Sequence, residues 1–362
     1  MIKKIIFIVV LLAFQVIASK HGIYLKTHEL IKKDISKVTT SVVDLLKENS
    51  YEILFNGKLT TPDYVKKEKE ELCGFKANLI VFSSEKYRDI LTLFGNKYLI
   101  GGFLRVGIYE NENGVNIIII DPETIARIIF NDLYENDKEK EYNKIVTKMT
   151  EFKNNLITLL HTLNMGKKVT TVMEPIRDDD DLAESSKDMF MMVGPMTFFN
   201  DEEQFPEIYS SQKSISEVQT FFESNIKKFI PTDEDKEYRW SPNPEKDLHW
   251  KIISKTSSND GKALLLGITR PRTEGVSFHI AGVSRENKTN RCPGIDHAAA
   301  YPIEILIIKD NGITKVYTQR EMFRMDMYFW DAGMSAFMNH MSMPGILDES
   351  IKKALLGKDY SK

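Results

Sequence analysis

Between Leu30 and Glu48 apolar residues recur at helical spacing, with Ile35, Val38, Val42, Leu45 and Leu46 on one side of the turn. The pattern predicts an amphipathic helix over 30–48 followed by a strand from Tyr51. A second strand-like run lies in "GFKANLIVFSSEKYRDIL" from Gly74, and a third in "FLRVGIYENENGVNIIIIDPETIARI" from Phe103. In that last stretch Asn113-Gly114 separates two runs of β-formers. Asn-Gly is a strong hairpin signal, because both residues tolerate the positive φ of a primed turn. A helix should then start at Asp121, a capping residue followed by proline at the first helical position.

The same succession returns later in the chain. "YPIEILIIKDNGITKVYTQREMFRM" from Tyr301 has two strand-like runs around Asn311-Gly312, and Thr318 with Glu321 three residues on reads as a capping box. Upstream, "GKALLLGITRPRTEGVSF" from Gly261 answers the stretch from Gly74. "SISEVQTFFESNIKKFI" from Ser214, followed by an apolar run from Leu248 to Ile253, answers the first helix and strand. The second copy carries about a dozen extra residues, placed in the loop 284–300. These patterns predict an α+β fold of two related domains, each a largely antiparallel sheet with helices packed on one face. The expected boundaries are 23–163 and 214–362, joined by a linker over 164–213 that is first acidic and then apolar. Asp178 to Asp181 lack the alternating carboxylates, glycine and closing Glu of a calcium loop, so this run reads as solvated linker.

With helix, strand, hairpin and "IDPETIA" helix start in this order, residues 30–133 resemble the bacterial and archaeal family catalogued as domain of unknown function 302. The second half, from about Ile215 to Leu355, resembles it more weakly, so the chain is expected to hold the domain in tandem. The resemblance implies a compact α+β domain. It transfers no acid, base, nucleophile or cofactor, and no reaction is assigned to the family.

Charge and composition narrow the partners. The 362 residues are 28% charged with a net charge of −3, and no basic cluster suited to phosphate backbones stands out, so nucleic acid is not expected. At the N-terminus Lys3 and Lys4 precede a short apolar run, Ile5 to Ile17, which ends in small residues. This is the pattern of a signal peptide over 1–18, shorter than the roughly 20 residues a membrane span needs, with an uncleaved anchor as the alternative. Export, periplasmic or otherwise, is therefore expected, with no stable membrane span after cleavage. Cys73 and Cys292 are the two cysteines. An oxidising compartment permits one bridge, which would clamp the two halves, and two free thiols are the alternative.

Two constellations carry candidate chemistry. In "MNHMSMPG", Met338 to Gly345, the residues His340, Met341 and Met343 offer soft ligands suited to copper(I). Against this, Phe323, Met327, Trp330, Met334, Phe337 or Met338, and Met341 fall on one stripe of a continuous helix, which is what packing on a sheet requires. The second constellation, "CPGIDH", sets Cys292, Asp296 and His297 close together as a nucleophile-base pair or as metal ligands. The competing reading is an ordinary surface loop, since the pattern is not specific. His28, His161, His249 and His279 are scattered singly.

No recurrent catalytic motif is present. The expected role is therefore non-catalytic: binding a small molecule or a protein partner between the two copies, where pockets tend to form. Copper binding through the Met/His segment and an enzyme built on Cys292 and His297 stand as alternatives. Cofactors remain unknown, and exposed hairpin edges make a dimer possible.

Overall fold

A computed structural model describes residues 20–61, 73–178, 182, 205–231, 247–283, 292, 294–333, 336, 340 and 342–357. Within it, local chemistry decides where the elements begin. Strand β1 (Lys20–Ile31) precedes helix α1 (Ile35–Glu48), and Asp34 caps the helix by accepting from the Ser36 amide at 2.8 Å. Leu30 thus belongs to a strand, and the helix expected from that residue starts five positions later. Its buried face is Ile35, Val38, Val42 and Leu46, as the spacing predicts.

Strands β2 (Glu52–Lys58) and β3 (Ala77–Ser83) lead to α2 (Glu85–Thr92), a 3-10 turn (Asn96–Gly101), β4 (Leu104–Asn111) and β5 (Gly114–Ile120). Asn111 faces Gly114 across the β4–β5 hairpin, so its loop is Glu112-Asn113 rather than Asn113-Gly114. The Asn111 side chain accepts from the Asn113 amide at 2.9 Å and shapes this turn. Gly114 is needed for a different reason: it has φ +131°, and a Cβ there would lie 2.7 Å from the Ile31 carbonyl oxygen on β1. Helix α3 (Pro122–Ile129) is capped by Asp121 with proline at its first position, as predicted. It is followed by α4 (Asn131–Glu135), α5 (Glu139–Leu160) and β6 (Lys167–Asp178).

The second half runs β7 (Glu207–Ser211), α6 (Ile215–Lys228), β8 (Lys251–Ser257), β9 (Ala263–Thr269), α7 (Pro271–Val283), a second 3-10 turn (Ile295–Ala300), β10 (Ile303–Asp310), β11 (Ile313–Thr318), α8 (Glu321–Phe329) and α9 (Met343–Leu356). Here the hairpin is the predicted one, with Asn311 at φ +46° and Gly312 at +82° between paired Asp310 and Ile313. The cap of α8 differs from expectation. Thr318 ends β11, and the Glu321 amide donates to Asp348 Oδ1 of α9 at 2.9 Å.

Among the described residues all strand pairings are antiparallel. The first sheet has the order β2-β3-β4-β5-β1-β6 and the second β8-β9-β10-β11-β7, read from the matching edge. The two halves therefore share one strand order, and β6 is an addition at the first sheet's far edge. Parts of the expected linker are strand: β6 pairs with β1 and β7 with β11. The acidic run after Asp178 and most of the apolar stretch lie outside the described residues.

The halves exchange their 3-10 turns. Residues 96–101 pack on β9 and β10, and residues 295–300 pack on β3, β4 and β5. Both turns lie at the core, with Leu99 and Ala298, Ala299 and Ala300 buried. The second half of the expected surface loop 284–300 is thus interior. Gly107 on β4 makes the crossing possible, since a Cβ there would meet Ala299 N at 3.0 Å and Ala298 Cβ at 3.1 Å. One apolar cluster consequently runs through both sheets. Among the described residues no helix is long and apolar enough to cross a membrane.

Candidate functional site

Where the halves meet, the edge strands β2 and β8 approach without pairing and leave a groove of about 800 Å³. Both edges are irregular at the same place. The β2–β3 register shifts between Ile53 and Phe55, and the β8–β9 register between Ile252 and Ser254. Leu54 and Ile253 are the extra residues, and both line the groove. A bulge bends an edge strand and interrupts its ladder, which suits a surface that offers side chains rather than backbone.

The groove floor is apolar. Ile53, Leu54, Ile252 and Ile253 are half-buried there, and Trp250 and Ile226 are buried. Trp250 is fixed from behind: its Nε1 donates to Ser350 Oγ at 3.0 Å, and the Arg270 guanidinium lies 4.3 Å from its ring centroid. Arg270 is held in turn by Thr273 Oγ1 at 2.8 Å. On the rim stand Glu52, Glu223, Lys227, Lys251 and Lys255. Glu52 pairs with Arg88 at 3.3 Å, and Glu223 accepts from the Gln219 amide at 2.7 Å. Arg88 also reaches Thr256 Oγ1 at 3.3 Å and Asn259 Oδ1 at 3.2 Å, so the walls of the groove are tied across the two halves.

Deeper in, the core holds a charged network. Arg105 on β4 pairs with Glu304 on β10, and its guanidinium donates to Tyr328 Oη at 2.8 Å. Arg324 lies 3.5 Å from Glu304 and 3.4 Å from Glu321, and donates to the Ala300 carbonyl at 2.6 Å. All four charged side chains are at most 4% exposed. Burial pulls the Arg105 guanidinium below its usual value and pushes the Glu321 carboxyl up, while Arg324 opposes the latter. Two positive and two negative groups balance, as a charge cluster sealed from water must. The neighbouring cavity, lined by Arg105, Glu304, Gln319 and Tyr328 among others, is only about 10 Å³. It is too small for anything larger than a water.

Cys292 is disulfide-bonded to Cys73, with Cα atoms 5.4 Å apart. Its sulfur is therefore neither a thiolate nucleophile nor a metal ligand while the bond stands, which corrects the expected Cys292/His297 pair. His297 is buried, with Nδ1 3.0 Å from Asp296 and Nε2 3.0 Å from Asp331. The first half shows what this arrangement is for. His297 stacks on Phe329, with centroids 5.4 Å apart, and reaches Asp331; Tyr98, in the first 3-10 turn, stacks on Phe130 at 4.0 Å and donates to Asp132 at 2.9 Å. Phe130-Asn131-Asp132 and Phe329-Trp330-Asp331 stand at the C-terminal ends of corresponding helices. His297 thus anchors its 3-10 turn as Tyr98 anchors the other.

Helix α8 ends before the methionine-rich segment. That helix stops at Phe329, a short 3-10 turn covers Trp330–Ala332, and Gly333 takes φ +81°. Of the expected stripe, Phe323 and Met327 lie on α8 and are buried. Met334, Phe337, Met338 and Met341 lie outside the described residues. His340 is described, and burial lowers its pKa. Met343 opens α9 as a buried residue and lines a small cavity with Arg270 and Arg272. Among the described residues no three His, Cys, Asp or Glu side chains gather in a metal-holding group.

No protein-family model matches the chain, and no curated protein does. Among solved structures it is similar to the crystal structure of an uncharacterized conserved protein, DUF302, from Bacillus stearothermophilus. The two are 5% identical, with a TM-score of 0.27 over 36% of this chain and 96% of that one. A likeness of that size says nothing about activity.

Proposed function

We propose that this is an exported ligand-binding protein that takes its ligand, without transforming it, in the groove between β2 and β8. The observation that carries the reading is the groove itself. Its volume of about 800 Å³ falls within the range of about 300–1,000 Å³ typical of small-molecule sites. Its floor is apolar and braced, and it lies where two halves of like topology meet. The two rim carboxylates already have partners, Arg88 and Gln219.

Export is supported by the signal-like pattern of residues 1–18 and by the Cys73–Cys292 bond, which persists best in an oxidising compartment. The same reading takes the halves as tandem copies of one domain, supported by their common strand order and the reciprocal 3-10 turns.

Native mass spectrometry tests the binding reading on protein taken from its own compartment without refolding. A small-molecule adduct at one equivalent is expected, and it should vanish in the double variant Leu54→Asp/Ile253→Asp. An adduct that survives the double variant, or a chain that is bare before any change, overturns the groove as the site.

A further inference from the structure

The groove's charge is unbalanced in a way that defines its occupant, given the binding reading above. Glu52 is neutralised by Arg88, while Glu223 accepts from the uncharged Gln219 side chain and keeps its negative charge, so three lysines against one carboxylate leave the rim net positive. Lys227, Lys251 and Lys255 are exposed on the same rim and make no ion pair with another described residue. Three ammonium groups therefore stand over a floor made of isoleucine, leucine and tryptophan. The apolar surface is a strip along two strand edges. An uncharged apolar ligand would leave the lysines unused, and a compact anion would leave the floor wet.

We propose that the occupant is a linear amphipathic anion, with an unbranched apolar chain along Ile53, Leu54, Ile252 and Ile253 and a carboxylate or phosphate head among Lys227, Lys251 and Lys255. The chain gains by leaving water, at about 0.8 kcal/mol for each fully buried CH₂. The head gains from charge-assisted contacts at the rim, which salt screens over about 8–10 Å. The bulges at Leu54 and Ile253 favour this occupant over an extended peptide, because an interrupted edge ladder is a poor template for an added strand.

Calorimetric titration of the full chain with dodecanoate, dodecyl phosphate and dodecanol separates the possibilities. One equivalent of dodecanoate is expected to bind about tenfold more tightly than dodecanol, the effect of the rim's exposed net positive charge. The triple variant Lys227→Gln/Lys251→Gln/Lys255→Gln should abolish that preference and leave dodecanol binding unchanged. Tighter binding of dodecyl phosphate than of dodecanoate assigns the head as a phosphate, and the reverse as a carboxylate. Equal binding of alcohol and acid, both lost in Leu54→Asp/Ile253→Asp, overturns the anion and keeps the groove. Undiminished preference for dodecanoate in the triple variant also overturns it. If none of the three probes binds while the native adduct still disappears in the double variant, the linear anion fails alone. If the adduct is also indifferent to that variant, both readings fail.

Discussion

Arg105 and Glu304 hold corresponding positions, each second on the strand that follows its 3-10 turn, and they meet as an ion pair across the shared core. One half supplies the cation and the other the anion, so a charge that neither half can bury alone is neutralised only when both are in place. Glu304→Ala leaves the Arg105 and Arg324 guanidiniums without their common partner. It should cost about 3–5 kcal/mol, whereas the paired change Arg105→Met/Glu304→Leu should lie within about 1–2 kcal/mol of the parent. Urea unfolding of the three proteins checks this.

The crossing at Gly107 gives a steric prediction. Alanine there places its Cβ 2.9 Å from Ile118 Cγ1 and 3.0 Å from Ala299 N, and should cost about 1–3 kcal/mol. Gly345, in the first turn of α9, meets nothing within 4 Å. Alanine at that site should stabilise the protein by up to about 1 kcal/mol. Thermal midpoints of the two variants should move in opposite directions.

Glu274 on α7 gives a pH dependence. Its carboxyl is buried, accepts from Thr269 Oγ1 at 2.6 Å and the Thr60 amide at 2.8 Å, and is pushed up to about 7, chiefly by burial. The folded state therefore holds this proton where the unfolded state has released it. The group's contribution falls as pH rises from the unfolded value of about 4.5 through 7, by roughly 3 kcal/mol in all. Glu274→Gln should remove that share. Relative to the parent, the variant should gain stability between pH 5 and pH 8, read from urea midpoints. An unchanged difference between the two pH values would refute the assignment.

The Cys73–Cys292 bond spans 219 residues, so its loss frees a long loop in the unfolded chain. Cys73→Ser/Cys292→Ser should be destabilised by about 3–5 kcal/mol. A mass shift of two hydrogens on reduction of the parent reports the bond directly.

Features set by near neighbours along the chain are legible in the sequence itself. The cap at Asp121, the turn at Asn311-Gly312 and the apolar face of α1 all depend on contacts a few residues away. Strand β1 is not legible, because it is buried on both faces and carries Thr27 and His28 inward, which breaks any alternation. The short β7 is recognisable only by its pairing with β11, and the cap on Glu321 comes from Asp348 in another helix. Much the same holds for the groove. Leu54 and Ile253 read as ordinary strand residues, and only the meeting of two edges gives them a common surface. Cys292 and His297 resemble a chemical pair because they are close in sequence. The disulfide and the match with Tyr98 assign them to the framework instead.

The exchange of 3-10 turns has a consequence for synthesis. The face of β3, β4 and β5 is covered by Ile295–Ala300, so the first sheet cannot be completed until the chain has been made as far as Ala300. At typical elongation rates this leaves its buried valines and isoleucines without their lid for on the order of ten seconds. The newborn first half is therefore a client for whatever shields apolar surface in the cell. Chains that stop short of Ile295 should appear as aggregate or be degraded, even though every strand of the first sheet is present in them.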